Sequence, residues 1–156
     1  MTATKQPKVH IGSISSGTLR PEDLLEAFSD ELKRLVGETE LTKQADEILE
    51  SDLLDFDHYA DELVEELQRV LEELAPPFTY FGTLEGDGAD FGFWPDHDDV
   101  QEAVQEAKAN GDDDQSREAQ ADGYYFVPDS GLTIHVSDHG NIMVLDQQGN
   151  EIWSCV

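Results

Sequence analysis

The chain has 156 residues, of which 36 are acidic and nine are basic, so its formal net charge is -27. A surface this negative repels nucleic acid, acidic substrates and anionic membranes, and it attracts basic proteins. Hydrophobic residues make up 38% of the chain, with seven Phe, four Tyr and two Trp. That content is typical of a folded domain and excludes a disordered acidic tail.

No pattern in the sequence indicates export or membrane insertion. The first twenty residues contain no apolar run long enough for a signal peptide, and no later run is long enough to span a bilayer. The one cysteine, Cys155, allows no internal disulfide, so the chain needs no oxidising compartment. We therefore expect a cytoplasmic protein without membrane contacts.

The N-terminal half is predicted to be a basic arm followed by helices. Residues 1–20 contain three basic side chains and no acid, which is typical of a flexible arm. Apolar residues then recur at three- and four-residue spacing, which predicts helices over residues 21–36, 39–50 and 55–74. Residues 21–76 are therefore expected to form an acidic helical part.

After the two prolines at 76 and 77 the pattern changes to strands. Aromatic and β-branched residues over 78–84 and 91–94 flank the turn sequence EGDGAD, which predicts a β-hairpin. A thin apolar face predicts a helix over 96–109, and the acidic stretch 110–123 has the composition of an exposed loop.

The last third of the chain alternates short apolar strands with the turn sequences DSG, HGN and QGN, which predicts an antiparallel meander. Helices followed by strands, without a βαβ rhythm, indicate an α+β fold. We expect the N-terminal helices to pack on an antiparallel sheet of C-terminal hairpins and meander. Residues 77–156 would then form one compact unit with residues 21–76.

The predicted third helix carries its acids opposite its apolar stripe. Several of these acids stand four residues apart, and each such like-charge pair costs about 0.2 to 0.5 kcal/mol. A helix shaped only for stability would alternate acids with lysines, so the pattern favours a partner-binding surface. The first predicted partner-binding surface comprises Asp61, Glu62, Glu65, Glu66, Glu72 and Glu73. The second comprises Asp96, Asp98, Asp99, Asp112, Asp113 and Asp114.

The charge is also compatible with two simpler interpretations. An acidic helix face is often only a solvated face, and proteins adapted to high salt carry acidic surfaces without a specific partner. In either case the chain would be a structural or regulatory interaction domain that contacts its partner through apolar residues of the hairpin or the C-terminal sheet.

Candidate catalytic and metal sites are weak. The acids between Asp87 and Asp99 are of a type that binds calcium, but their spacing does not match an EF-hand, and helix capping explains them more simply. A divalent-cation-binding module is therefore the third alternative. His135 and His139 lack the helical context of a zinc pair, and no base neighbours Cys155 in the sequence. We expect no enzymatic activity, no catalytic residue, no metal and no cofactor.

The segments Tyr80-Phe81-Gly82, GDGADFGFWPD and VSDHGN resemble a group of small acidic proteins of bacteria and mobile elements. The resemblance runs from the long third helix onward, and because the group has no established activity it assigns no functional residue. In its acidity alone, the chain is similar to the inhibitors of phages and plasmids that imitate DNA. Such inhibitors block restriction enzymes or CRISPR complexes.

The sequence thus predicts a non-enzymatic acidic binding protein with a basic nucleic-acid-binding protein or complex as its partner. Its carboxylates would occupy the site that DNA or RNA uses, as in an anti-restriction or anti-CRISPR inhibitor. No direct contact with nucleic acid is expected, and the sequence leaves the oligomeric state open.

Overall fold

The computed structural model describes residues 9–51 and 56–155, which divide into two compact units. Within the described residues, the first unit comprises the chain up to Ala75 and the segment Tyr80–Trp94. The second takes Pro76–Thr79 and the residues from Pro95 onward. The boundary differs from the sequence-based one at residue 77, because most of the predicted hairpin shares its core with the helices.

The first unit contains the three predicted helices. They are α1 (Pro21–Val36), α2 (Glu40–Leu49) and α3 (Phe56–Glu73). Proline at the first position of α1 costs no hydrogen bond, and Gly37, with φ of 85°, ends the helix in a conformation that favours glycine. Thr39 and Thr42 bond reciprocally and cap the start of α2. All three helical predictions are confirmed over the described residues; Asp55 lies outside them.

Three strands complete the first unit. They are β1 (Gly12–Ser15), β2 (Thr79–Leu84) and β3 (Asp87–Pro95), in the order β1-β3-β2. The predicted hairpin is therefore confirmed. The predicted flexible arm is wrong over residues 12–15, which pair antiparallel with β3 through a bulge between Ser13 and Ser15. The arm's residues 1–8 lie outside the described part of the chain.

The core of the first unit is an aromatic cluster between helix and sheet. Phe28 of α1 is fully buried, and its ring lies edge-on to Phe81 of β2 at 5.1 Å and to Phe91 of β3 at 5.2 Å. Phe81 also contacts Phe93, with ring centroids 4.9 Å apart. The helices thus pack on this three-stranded sheet, and the α+β class is confirmed.

The second unit contains two helices and a four-stranded meander. The helices are α4 (His97–Asn110) and α5 (Asp114–Ala121), and the strands are β4 (Tyr124–Phe126), β5 (Thr133–Val136), β6 (Ile142–Leu145) and β7 (Glu151–Cys155). The strands pair in chain order, so the predicted meander is confirmed. Trp153 of β7 is buried and donates its indole N–H to the Pro77 carbonyl at 2.6 Å.

The predicted loop over 110–123 is wrong, because residues 114–121 form α5. This helix has no buried residue, which explains why it lacks the apolar periodicity on which helix prediction depends. Its stability comes from a cap at Asp113 and from contact with its neighbours. Gln120 donates its side-chain amide to the Ala107 carbonyl of α4 at 3.3 Å, and α5 packs along β4.

Replacing Gly92 by Ala is expected to destabilise the first unit. An added Cβ would lie 2.8 Å from the Gly12 carbonyl carbon and closer still to its oxygen, so β1 would have to move away from β3. Such overpacking costs roughly 1 to 3 kcal/mol. Urea unfolding followed by far-UV circular dichroism should give a lower midpoint, and hydrogen exchange should speed up in peptides covering β1 and β3.

Gly88→Ala on the same strand is the matched control. A Cβ at this position meets nothing within 4 Å and the backbone has an ordinary φ, so we expect little change in the unfolding midpoint. Equal midpoints for the Gly92→Ala and Gly88→Ala variants would contradict the close approach of β1 and β3.

Candidate protein-interaction surfaces

The first predicted surface lies along the outer side of α3. Ala60, Leu67 and Leu71 are fully buried against the core and fix the rotation of the helix. The opposite side therefore faces solvent. Six exposed carboxylates lie on it, here called the α3 face: Asp61, Glu62, Glu65, Glu66, Glu72 and Glu73. They span roughly 18 Å of helix at a rise of about 1.5 Å per residue.

The α3 face is poorly neutralised by its own cations. Arg69 is the one Lys or Arg on α3, and it borders a depression of about 410 Å³ lined by Glu62, Glu65 and Glu66. Among the ion pairs of the described residues, none involves Arg69, and the one on α3 joins His58 to Glu62 at 3.4 Å. The negative potential of this face is therefore largely uncompensated.

Glu72 of the α3 face also has a structural role. The Glu72 carboxylate accepts a hydrogen bond from the backbone N–H of Phe81 on β2, at 2.5 Å. Glu72 thus satisfies a donor on the edge strand β2 and ties that strand to α3. For this reason Glu72 is a poor site for a charge-neutralising substitution, whereas Glu65, Glu66 and Glu73 make no side-chain hydrogen bond or ion pair with described residues.

The second predicted surface forms two separate clusters. Asp96, Asp98 and Asp99 lie at the start of α4, whereas Asp112, Asp113 and Asp114 follow its end. The 14-residue helix between them is about 21 Å long at a rise of about 1.5 Å per residue. The six residues of the second predicted surface therefore lie in two clusters, one at each end of α4.

Each cluster contains a helix cap. Asp96 accepts a hydrogen bond from the Asp99 N–H at 3.1 Å and begins α4. Asp113 accepts from the Ser116 N–H at 3.2 Å and from the Ser116 hydroxyl at 2.6 Å, and begins α5. These two carboxylates serve the fold directly, because they satisfy N–H groups that the helix leaves unpaired. The other four acids of the clusters are exposed, and Asp112 lies 3.8 Å from Arg117.

The two clusters titrate differently. Desolvation raises the pKa of the Asp99 carboxyl above its ordinary 3.8, and the nearby carboxylates of Asp96 and Glu102 raise it further. The hydrogen bonds from Ser116 lower the pKa of Asp113 below the same ordinary value. The charged form of Asp99 at the start of α4 is therefore disfavoured, whereas the charged form of Asp113, which caps α5, is stabilised.

A third acidic region was missed by the sequence analysis. A groove between β1 and α1 is lined by four acids of α1, namely Asp23, Glu26, Asp30 and Glu31. The available signal was the spacing of Glu26 and Asp30, which stand four residues apart on the outer side of a predicted helix. The groove itself depends on the pairing of β1, which the sequence does not indicate.

The histidine and cysteine candidates lie on or beside the strands of the second unit. The His135 ring packs on Tyr124 across the β4–β5 pair, with centroids 4.3 Å apart, and His139 lies in the exposed turn after β5. Cys155 lies half-buried on β7. Within residues 9–51 and 56–155, no group of three or more His, Cys, Asp or Glu is arranged to hold a metal ion, the acids between Asp87 and Asp99 included.

Comparison with known proteins gives no family for this chain: no family model, no curated protein and no solved structure matches it. Among the described helices, none combines the length and the apolar character needed to cross a membrane.

Asp96→Ala is expected to destabilise α4, whereas Asp96→Asn is not. Asparagine caps a helix about as well as aspartate, and loss of a capping side chain costs about 1 kcal/mol. Thermal unfolding and hydrogen exchange of residues 97–101 would show the difference. Equal destabilisation by Asp96→Ala and Asp96→Asn would show that Asp96 stabilises α4 through its charge and not through capping.

The pKa values of Asp99 and Asp113 are expected to lie on opposite sides of 3.8 in a carboxyl-carbon NMR titration. A raised folded-state pKa means that Asp99 favours folding below its unfolded pKa, and that this contribution is lost as pH rises through the folded value. For Asp113 the contribution is present above the unfolded pKa and is lost as pH falls through the lowered folded value. Acidification of Asp99→Asn and Asp113→Asn variants should therefore change their stability relative to the parent chain in opposite directions.

Proposed function

We propose that this protein is a non-enzymatic acidic binding protein that occupies the nucleic-acid-binding cleft of a basic protein or complex. A bacterial restriction or CRISPR complex fits this description. The observation that supports the proposal is the α3 face, where six exposed carboxylates share one side of a helix with a single Arg. The partner is identified by chemistry, as a cleft lined with Lys and Arg.

The spacing of the charges along α3 approximates that of a nucleic acid strand. Seven acids occur over its 18 residues, which gives roughly one charge per 3.9 Å at a rise of about 1.5 Å per residue. Phosphates along one strand of B-DNA are about 3.4 Å apart. A cleft that follows a phosphate backbone could therefore place its cations against this helix.

The repulsion among these carboxylates supplies part of the driving force. Asp61 and Glu65, and Glu62 and Glu66, stand four residues apart and destabilise the isolated helix by about 0.2 to 0.5 kcal/mol a pair. A partner that brings Lys or Arg between them relieves that repulsion. Binding of this kind is fast at low salt and weakens steeply as salt screens the charges.

Other features agree with this proposal. The segments Tyr80–Gly82 and VSDHGN resemble those of small acidic proteins of mobile elements, where inhibitors of host defence occur. The proposal includes a cytoplasmic location, where nucleic-acid-binding complexes act, and it assigns no catalytic residue and no cofactor. The clusters at the ends of α4 are further candidate contacts for basic residues, chiefly through Asp98, Asp112 and Asp114, which cap no helix.

A second candidate function rests on a different observation. Tyr124 and Phe126 both lie on the edge strand β4, with exposed fractions of 38% and 44%. Adjacent exposed aromatic residues are typical of anchors in protein interfaces. In this case the protein is a structural or regulatory interaction domain, and its charge serves solubility or salt adaptation.

Neutralising the α3 face tests the first proposal. The variant Glu65→Gln/Glu66→Gln/Glu73→Gln retains every side-chain hydrogen bond of the described residues and removes three charges. The assay measures displacement of labelled DNA or guide RNA from purified restriction and CRISPR complexes by fluorescence anisotropy. We expect the parent chain to displace the nucleic acid at low salt, and the variant to bind roughly tenfold more weakly, since each exposed charge pair contributes about 0.2 to 1 kcal/mol.

The control variant Glu38→Gln/Glu47→Gln/Glu50→Gln removes the same number of charges from exposed positions in or beside α2. It should displace nucleic acid as well as the parent chain does, because net charge alone does not determine the fit. Equal weakening in the two variants, no displacement at low salt, or an affinity that does not change with salt would each reject the mimicry proposal. A loss of partner binding in Tyr124→Ser/Phe126→Ser alone would favour the second candidate.

A further inference from the structure

A groove runs between the edge strand β1 and the outer side of α1. Its volume is about 550 Å³, and Ser13 and Ile14 of β1 form one wall. The half-buried Ala27 of α1 contributes a small apolar side chain, and four acids of the same helix form the other wall together with one cation, Arg34. The groove is open to solvent and lies wholly within the first unit.

The two edges of the three-stranded sheet differ in how their backbone groups are satisfied. On β2, the Phe81 N–H donates to the Glu72 carboxylate at 2.5 Å, and the Thr83 carbonyl accepts from the Tyr80 hydroxyl at 2.8 Å. On β1, no hydrogen bond from any described residue reaches the edge that faces away from β3. Within the part of the chain that the structure describes, side chains therefore cover the β2 edge, and no residue pairs with the outer edge of β1.

Two of the four acids that line the groove are unengaged. Asp23 accepts a hydrogen bond from the Thr18 hydroxyl at 2.7 Å, and Glu31 is paired with Arg34. Glu26 and Asp30, one helical turn apart, make no side-chain hydrogen bond or ion pair with another described residue, and both are exposed. Among the described residues, the outer edge of β1 is thus bordered by two carboxylates that form no hydrogen bond or ion pair.

We propose that this groove binds an extended basic segment of a partner protein, which adds a strand to the open edge of β1. The backbone of the segment pairs with β1, and its side chains alternate in direction. Those on the side of α1 lie beside Ile14 and Ala27, and Lys or Arg among them meets Glu26 and Asp30, whereas those on the other side face solvent. The four residues of β1 extend over about 13 Å, so the pairing covers about four residues of the segment.

The negative charge of the groove favours a basic segment over a nucleic acid or a second copy of this chain. A nucleic acid is repelled by the acids of α1, and a second copy of this chain carries the same surplus of 36 acids over nine basic residues. A basic segment can both pair with the backbone of β1 and neutralise the carboxylates of Glu26 and Asp30. The inference does not rest on the proposed function, because the α3 face takes no part in this groove.

The probe is an eight-residue capped peptide that alternates Lys and Thr, titrated into the full chain and followed by NMR and calorimetry. We expect chemical-shift changes to centre on residues 12–15 and on the outer side of α1. A peptide of the same sequence that is N-methylated at every backbone position keeps the charge but has no N–H to donate to β1 on either edge, and it should not bind. Equal binding of the two peptides would overturn the proposal, since charge alone would then explain the affinity.

Variants of the groove complete the test. Glu26→Gln/Asp30→Asn is expected to bind the Lys-Thr peptide about fivefold more weakly, because two exposed charge pairs are lost. The control Glu47→Gln/Glu50→Gln on α2 and its cap removes the same charge away from the groove and should bind as the parent chain does. Shift changes centred on the α3 face, or a concentration-dependent dimer through residues 12–15 in sedimentation experiments, would overturn the assignment of a basic segment to this groove. Displacement of DNA by the α3 face is measured separately and is unaffected by these outcomes.

Discussion

The burial of Phe28 against the two hairpin strands is the contact on which the first unit depends. The ring contacts Phe81 and Phe91 edge-on and brings α1 down onto the sheet. Burying a side chain of this size stabilises a fold by roughly 1.5 to 3 kcal/mol. It also fixes the rotation of α1, so that Glu26 and Asp30 are directed away from the core and towards the groove beside β1. In the same way, the buried apolar stripe of α3 fixes the rotation of that helix and directs the α3 face to solvent.

The charge of the chain constrains what the protein can bind. The described ion pairs are few and lie at or near the surface, and the pair of Lys33 and Asp46 that joins α1 to α2 is only half-buried. Such pairs contribute little to stability and neutralise only a small part of the charge. Most of the mutual repulsion therefore persists in the free protein and is relieved only by salt, by protons or by a basic partner.

Not every acid is available for that partner. Asp96 and Asp113 cap helices, and Glu72 accepts the N–H of an edge strand. These carboxylates hold the surface in shape while contributing to its charge. Other acids, such as Glu65 and Glu73, bond to no side chain or backbone group of the described residues and contribute only their charge. The acidic residues thus serve two purposes: some stabilise the fold, and the others are available to a binding partner.

The sequence by itself determined which side of each amphipathic helix faces solvent, because a 3.6-residue period of apolar side chains leaves one orientation that buries them. It also determined the hairpin around Gly86 and the meander, since glycine-containing turns separate short apolar strands. The α3 face was predictable for the same reason.

Only the tertiary structure decided the rest. The strand β1 contains two serines and a glycine and has no strand pattern of its own; its pairing needs the missing side chain of Gly92, about eighty residues away. The helix α5 has no apolar stripe and forms through its cap and its contact with β4. The groove beside β1, the task of Glu72 and the separation of the α4 clusters all depend on contacts between residues distant in the chain, which local periodicity does not encode.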